Sequence, residues 1–328
     1  MAEDKRVITY CEALREAMCE EMRKDENVYL MGEDIGDYCG CFGVSKGMLE
    51  EFGPERVRET PISETAFVGA AIGSAMLGKR PIVEIMFSDF VGVCWDQIIN
   101  QAAKIHYMFA GKNKVPMVLR TPQGGGTGAA AQHSQTLEAM YAHVPGLKVV
   151  VPSNAYDAKG LLKTAIRDNN PVIFLETKLL YKTKCEVPAE EYTIPFGVAA
   201  TKREGSDVTV VTWGRTVQMC MDVAEKLAKE GKSCEVIDIR TLVPLDINTI
   251  IASVKKTHKL VIVHEAVKTG GFGAEIASQI CDSEAFFHLD APIKRVGAKD
   301  CPIPFSPILE HDCLPNVERI EEAIREII

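Results

Sequence analysis

The sequence predicts an α/β protein of two three-layer α/β/α domains, each a mostly parallel sheet between layers of helices. Three observations predict it. Segments of helical period and segments that read as strands alternate from end to end of the 328 residues. The strand-like segments, such as "LKVVVP", "PVIFLE" and "KLVIVHEA", are unbroken apolar runs, the pattern of strands covered on both faces. The alternation lapses once, after Glu176, and then restarts. At roughly 100–200 residues per domain, the length accommodates two cores.

The elements follow in order. "ITYCEALREAMCEEMRKDE" puts Leu14, Ala17, Met18 and Met22 on one face and predicts a helix. "NVYLMGED" is a short strand, and "SKGMLEEFG" a short helix closed by Gly53. "RVRET" is a strand, "SETAFVGAAIGSAMLGKR" a helix, "PIVEIMF" a strand and "DFVGVCWDQIINQAAKIHYMFA" a long helix. "PMVLR" is a strand that runs into a glycine loop. "LKVVVP" and "PVIFLE" are strands flanking the helix "NAYDAKGLLKTAIRDN".

The segment "TKLLYKTKCEVPAEEYTIPFG" is polar, carries prolines and has no period, so it reads as a linker with some packing of its own. The alternation resumes with "DVTVVTWG", "TVQMCMDVAEKLAKEG", "SCEVIDIR", "DINTIIASVKKT" and "KLVIVHEA". It ends with "GGFGAEIASQICD", "IKRVGA" and "NVERIEEAIREII". The expected division is a first domain over 1–176, a linker over 177–198 and a second domain over 199–328.

Composition narrows the function. A net charge of −9 disfavours nucleic acid or an anionic membrane as partner. No apolar run reaches the ~20 residues that span a bilayer. The first residues lack a signal core and a transit-peptide character, so the expected location is the cytoplasm. The eleven cysteines fall mostly within apolar patterns and read as small buried hydrophobes. Cys39 and Cys41, in "DYCGCFG", lack the spacing of a metal or redox motif.

Three stretches carry candidate chemistry. The first is "RTPQGGGTGAAAQHSQ", Arg120 to Gln135. It has no G-K-[ST] and is not a nucleotide P-loop. Gly124, Gly126 and Ala129 form a nominal G-x-G-x-x-A. The next strand, however, ends in Pro, Ser and Asn, without the acid that would hold a ribose. The alternatives are a structural loop, or glycines that bring the backbone close to a ligand with His133 at the rim, where an imidazole can donate or accept a proton. The second stretch is "TPISETAFVGAAIGSAMLG". Glu64 opens a helix of small residues, either complementing its dipole or presenting a partly buried carboxylate to a proton-bearing ligand. The third is "EIMFSDF", which puts Met86 at the end of a parallel strand, where ligand crevices form, and Phe90 at the start of the next helix, as a stacking platform or as core.

Together "RETPISETAFVGAAIGSAMLGKRPIVEIMFSDF", "GGGTGAAAQHSQ", "PGLKVVVPSNAYDAKGLLKTAIRDNNPVIFLE" and "HEAVKTGGFGAEI" make the chain recognisable. Over essentially its whole length it resembles the beta subunit of the thiamine-diphosphate-dependent decarboxylating component of 2-oxoacid dehydrogenase complexes. "GVCWDQIINQAAK", "AAAQHSQ" and "CEVPAEEYTIPFG" look most like the acetoin dehydrogenase branch, with pyruvate and branched-chain subunits close behind. The resemblance implies a transketolase-like pyrimidine-binding domain followed by a transketolase C-terminal-like domain. It implies an α2β2 assembly whose alpha subunit holds the diphosphate and Mg²⁺, and a lipoylated acyltransferase as acceptor.

By the same resemblance, Glu64 faces the pyrimidine ring nitrogen and favours the imino tautomer that deprotonates the thiazolium carbon. Ile62, Met86 and Phe90 line the ring's pocket. His133 binds substrate and handles protons during lipoyl acylation. Branched-chain members carry glutamine where this chain has Met86, so a polar contact to the ring is lost here. Some members also bind K⁺, and Ala165, Ile166, Asp168 and Asn170 match that site; read from the residues alone, the same turn is a capped helix end. Two other classes stay open at this point, an NAD-binding oxidoreductase and a non-catalytic assembly subunit.

Overall fold

The computed structural model describes residues 6–328. The chain divides into two compact units. One comprises the chain up to Gln123 together with Met140–Phe196; the other comprises Gly124–Ala139 and Gly197–Ile328. The glycine loop thus belongs with the C-terminal unit, although the sequence reading set it in a domain running to 176.

In the first unit six parallel strands lie in the order 148–150, 172–177, 118–123, 80–84, 28–32 and 57–59. The helix Tyr10–Lys24 starts from a capping box, in which Thr9 and Glu12 satisfy each other's backbone amides. It packs against Ala155–Arg167, whose start Asn154 caps. Between them the buried Lys159 and Lys163 meet Glu20 at 2.7 and 2.5 Å, and Arg167 meets Glu21 at 2.6 Å. Gly160 sits where a Cβ would lie 2.6 Å from Ile194, so this helix requires a glycine to close onto residues 192–194.

At the centre of the sheet the guanidinium of Arg120 is buried. It donates to Glu176 at 2.6 and 2.9 Å and to Glu84 at 2.8 Å, while the Tyr181 hydroxyl donates to Glu176 at 2.6 Å. Burial works against the arginine's charge, but Glu176 and Glu84 outweigh it and raise its pKa.

One sequence expectation fails in this unit. The region from Ser88 to Met108 is not one long α-helix. It is a 3₁₀ segment Ser88–Cys94, a π turn Gln97–Ala102 and a short α-helix Ile105–Met108. Side chains take up the helical carbonyls: Thr65 donates to the Val93 carbonyl at 2.7 Å, and the Cys94 thiol to that of Val91 at 3.5 Å. The linker carries ordered structure of its own. Lys184–Glu186 forms a strand antiparallel to Val7–Thr9, a pairing of residues too distant in sequence for local pattern to reveal.

The second unit carries a five-stranded sheet in the order 294–298, 260–267, 208–212, 234–238 and 200–203. The last strand is antiparallel and the others are parallel. The register between 260–267 and 294–298 shifts between Val263 and Val267, the kind of irregularity that re-aims side chains. His264 lies in this stretch, stacked on Trp213 at 5.2 Å and buried, and burial lowers its pKa to about 4.

Five cysteines are buried as expected, but Cys41, Cys281 and Cys301 are exposed. No helix among the described residues is long and apolar enough to cross a membrane.

Candidate active site

Glu64 is the first residue of the helix Glu64–Met76 and is buried, although Ile62, Ser63, Thr65 and Ala66 around it are exposed. Ser63 makes no side-chain cap, so Glu64 supplies the acid at a positive helix end. Its carboxylate makes no hydrogen bond to another described residue. The helix buries Phe67, Val68, Ala71, Ile72 and Ala75 and leaves the small residues Ala66, Ala70 and Gly73 exposed.

A second carboxylate, which the sequence reading missed, lies beside it. Glu33 follows the strand Val28–Gly32 and is 7% exposed. One of its oxygens accepts the Ser63 amide, while Oε1 is buried with no hydrogen-bond partner. Burial first, and then the charge of Glu64, raise its pKa. Two neighbouring acids, one of them with an unpartnered oxygen and held toward its neutral form, form a site suited to a proton-bearing ligand. The only sequence signal was an acid just past a strand end, which is common.

The raised pKa has a consequence for stability. The folded state binds the Glu33 proton more tightly than the unfolded chain does. Stability is therefore lost as pH rises from the ordinary glutamate range through the raised value. Glu33→Gln removes that loss. We expect the variant to be more stable than the parent near pH 7, with the gain fading as pH falls through the ordinary glutamate range. Thermal melts near pH 7 and at the low end of that range check this; an equal gain at both would contradict it.

Met86 and Phe90 are half-buried. The strand ends at Glu84, so Met86 lies just beyond it and Phe90 within the 3₁₀ segment. Phe90 packs edge-on against Phe87 at 5.6 Å, and Phe87 against Phe42 at 5.8 Å. The Met86 sulfur lies 3.7 Å from that of Cys41. Ile62 is 85% exposed in the single chain.

His133 belongs to the second unit and is half-buried in an irregular stretch ahead of the helix Glu138–Ala142. The glycine loop before it holds no phosphate. Gly125 donates its amide to Glu265 at 2.6 Å, and Gly126 and Gly128 donate theirs to Glu310 at 2.7 and 3.0 Å. Arg215 braces the loop from the other side, with Nε 3.0 Å from Glu265 and a bond to the Gly125 carbonyl at 3.3 Å. Gly124, Gly126 and Gly128 all have positive φ, and a Cβ at Gly124 would lie 2.7 Å from Glu265. The close approach that the glycines allow is to the chain's own carboxylates. Amides spent in this way do not receive a dinucleotide, so the NAD reading loses its cradle.

The helix end at Ala165–Asn170 is a capped turn. The Ala165 carbonyl accepts the Asp168 amide at 3.2 Å. The Asp168 carboxylate is paired with Lys148 and accepts the Asn170 amide at 2.8 Å. The Arg80 guanidinium donates to the carbonyl of Arg167 at 2.8 Å. A lysine and an arginine of the chain itself thus hold this turn. Among the described residues, no group of three or more His, Cys, Asp or Glu could hold a metal.

Comparison with known proteins identifies the family of the chain. Residues 6–184 match the transketolase pyrimidine-binding domain and residues 197–320 the transketolase C-terminal domain. The chain is 52% identical to the pyruvate dehydrogenase E1 component subunit beta of Rickettsia felis, over 98% of both chains. It is 48% identical to the acetoin:2,6-dichlorophenolindophenol oxidoreductase subunit beta of Bacillus subtilis, again over 98% of both. It is 46% identical to the 2-oxoisovalerate dehydrogenase subunit beta of the same species, over 98% of both. A split-gene transketolase, described as an inactive beta4 tetramer, superposes with a TM-score of 0.81 at 22% identity, covering 98% of each chain, and so shares the fold. With a buried acid opening a helix in the pyrimidine-binding half and relatives matched along their full length, the chain belongs to the beta-subunit family of thiamine-diphosphate-dependent 2-oxoacid dehydrogenase E1 components.

Proposed function

We propose that this chain is the beta subunit of an enzyme that cleaves acetoin or a 2-oxo acid such as pyruvate and passes the acyl unit to a lipoyl group on an acyltransferase. The observation that carries the reading is the buried Glu64 carboxylate, unbonded to other described residues and set beside Glu33, whose Oε1 has no hydrogen-bond partner. These acids fit an aminopyrimidine. Glu64 would share a proton with a ring nitrogen, while Met86 and Phe90 would bound the ring's apolar face. Thiamine diphosphate, when bound, supplies the electron sink for breaking a bond next to a carbonyl. This chain's part is to hold the ring, set the proton on it and keep water away.

The amides of the glycine loop are taken by this chain's own carboxylates, which supports an alpha subunit as the holder of the diphosphate and its Mg²⁺. Exposed apolar residues of the first unit, Ile62, Val93, Tyr107 and Met108, support a second chain packed over that surface, as does the exposed Ala66, Ala70 and Gly73 stripe. His133 would move a proton during acyl transfer.

The test is turnover of the chain co-purified with an alpha partner on acetoin, pyruvate and a branched 2-oxo acid, with a lipoylated acceptor. Thiamine-dependent activity on one of them supports the reading; none on any supports a non-catalytic subunit. His133→Ala is expected to slow lipoyl acylation by about 10²-fold or more, and an unchanged rate would remove His133 from that role.

A further inference from the structure

In the second unit, two thiols meet outside the residues already assigned. Cys301 Sγ lies 3.3 Å from Cys313 Sγ. Cys301 is exposed and lines a cavity of about 580 Å³; Cys313 is buried at the end of the helix Pro307–Cys313. The two segments are stitched together. The Lys299 amide donates to the Cys313 carbonyl at 2.9 Å, and the Lys299 ammonium pairs with Asp312 at 2.7 Å. The helix that ends in Cys313 carries Glu310, the carboxylate that holds Gly126 and Gly128. The next residue, Leu314, lies where a Cβ on Gly125 would meet it at 2.8 Å. Ala131, Ser134 and Gln135, which flank His133, line the same cavity as Cys301.

We propose that Cys301 and Cys313 are an oxidisable pair that closes to a disulfide and thereby shifts the loop carrying His133. The oxidant is a hydroperoxide. The exposed Cys301, as thiolate, attacks the terminal peroxide oxygen; the O–O bond breaks and the alcohol, or water, leaves with a proton. The sulfenic acid so formed is attacked by Cys313, which gives up its proton as the S–O bond breaks and water departs. Two thiols lose two electrons and two protons, and the peroxide takes both. Burial raises the Cys313 thiol to about 11, so the attacking sulfur is the exposed one. Bond formation draws the sulfurs from 3.3 Å to about 2.05 Å. Cys313 is the last residue of a two-turn helix, so the pull reaches Glu310 and the glycine amides it binds.

The effect on turnover rests on the role proposed for His133; the disulfide does not. The experiment is a hydroperoxide titration of the full chain with its alpha partner, followed by peptide mapping. A cross-link of the Cys301 and Cys313 peptides, about 2 Da lighter than the reduced pair and reversed by dithiothreitol, is expected ahead of any oxidation at Cys41 or Cys281. Cys301→Ser should abolish it, and Cys313→Ala should leave Cys301 open to sulfinic acid. Oxidation at Cys41 or Cys281 first, or at Cys301 without the cross-link, would overturn the proposal. Hydrogen exchange over residues 124–139 should rise in the oxidised parent and not in Cys301→Ser; equal exchange would overturn the coupling to the loop. Mapping reads the disulfide even in a preparation without turnover, so failure of the functional reading gives a different result.

Discussion

Glu64→Gln is expected to lower thiamine-dependent turnover by about 10²–10⁴-fold, the range associated with a positioned proton-transfer group. The amide keeps the size and the helix start but cannot take a proton from a ring nitrogen. The structural cost is small. An acid in the first turn contributes only ~0.3–1 kcal/mol through the helix dipole, and the change removes the charge that raises the pKa of Glu33. The variant should therefore melt at or above the parent's temperature while losing activity, the trade expected where a site is held against stability. Hydrogen–deuterium exchange at C2 of thiamine diphosphate, measured with the alpha chain present, isolates the step; near-normal exchange would refute the role.

The second large effect concerns stability. Arg120→Met is expected to cost about 3–5 kcal/mol, because it leaves the carboxylates of Glu84 and Glu176 facing each other in the middle of a sheet with no cation. Burial already raises the pKa of Glu176, and Arg120 opposes that rise. Adding Glu84→Gln and Glu176→Gln to Arg120→Met should recover much of the loss, since uncharged groups no longer need a counter-ion. Denaturant midpoints of the single and triple variants check both statements. A loss below about 1 kcal/mol in the single variant would mean that the triad is not the buried ion network described. Activity should fall with stability, since the strand bearing Glu84 leads into Met86 and Phe90.

The sequence was informative where local pattern and burial agree. Unbroken apolar runs marked the parallel strands at 148–150, 172–177 and 260–267, and the Leu14, Ala17, Met18 and Met22 face marked its helix. Asn154 and Gly53 stand at the helix boundaries that their chemistry suits. Pattern misled where side chains from elsewhere compete for backbone groups. The region from Ser88 to Met108 has a helical composition, but the Thr65 hydroxyl takes a carbonyl within it. Hydrophobic period carries no record of a bond made from 28 residues away.

The same division runs through the site. Glu64 and His133 could be named from the chain because each sits in a distinctive local context, a small-residue helix and a glycine loop. Their motifs, with the resemblance they support, were sufficient for the α/β architecture and the thiamine-dependent family. Glu33, Glu265 and Glu310 could not be singled out, because an isolated acid has no local signature. Only the tertiary structure decided that one of them crowds Glu64 and that the other two occupy the amides of a loop resembling a phosphate cradle. The physical reason is one of range. Periodicity and turn chemistry act over a few residues and are written in the order of the chain. The pairing of charges and the filling of hydrogen bonds depend on which distant residues folding brings within about 3 Å.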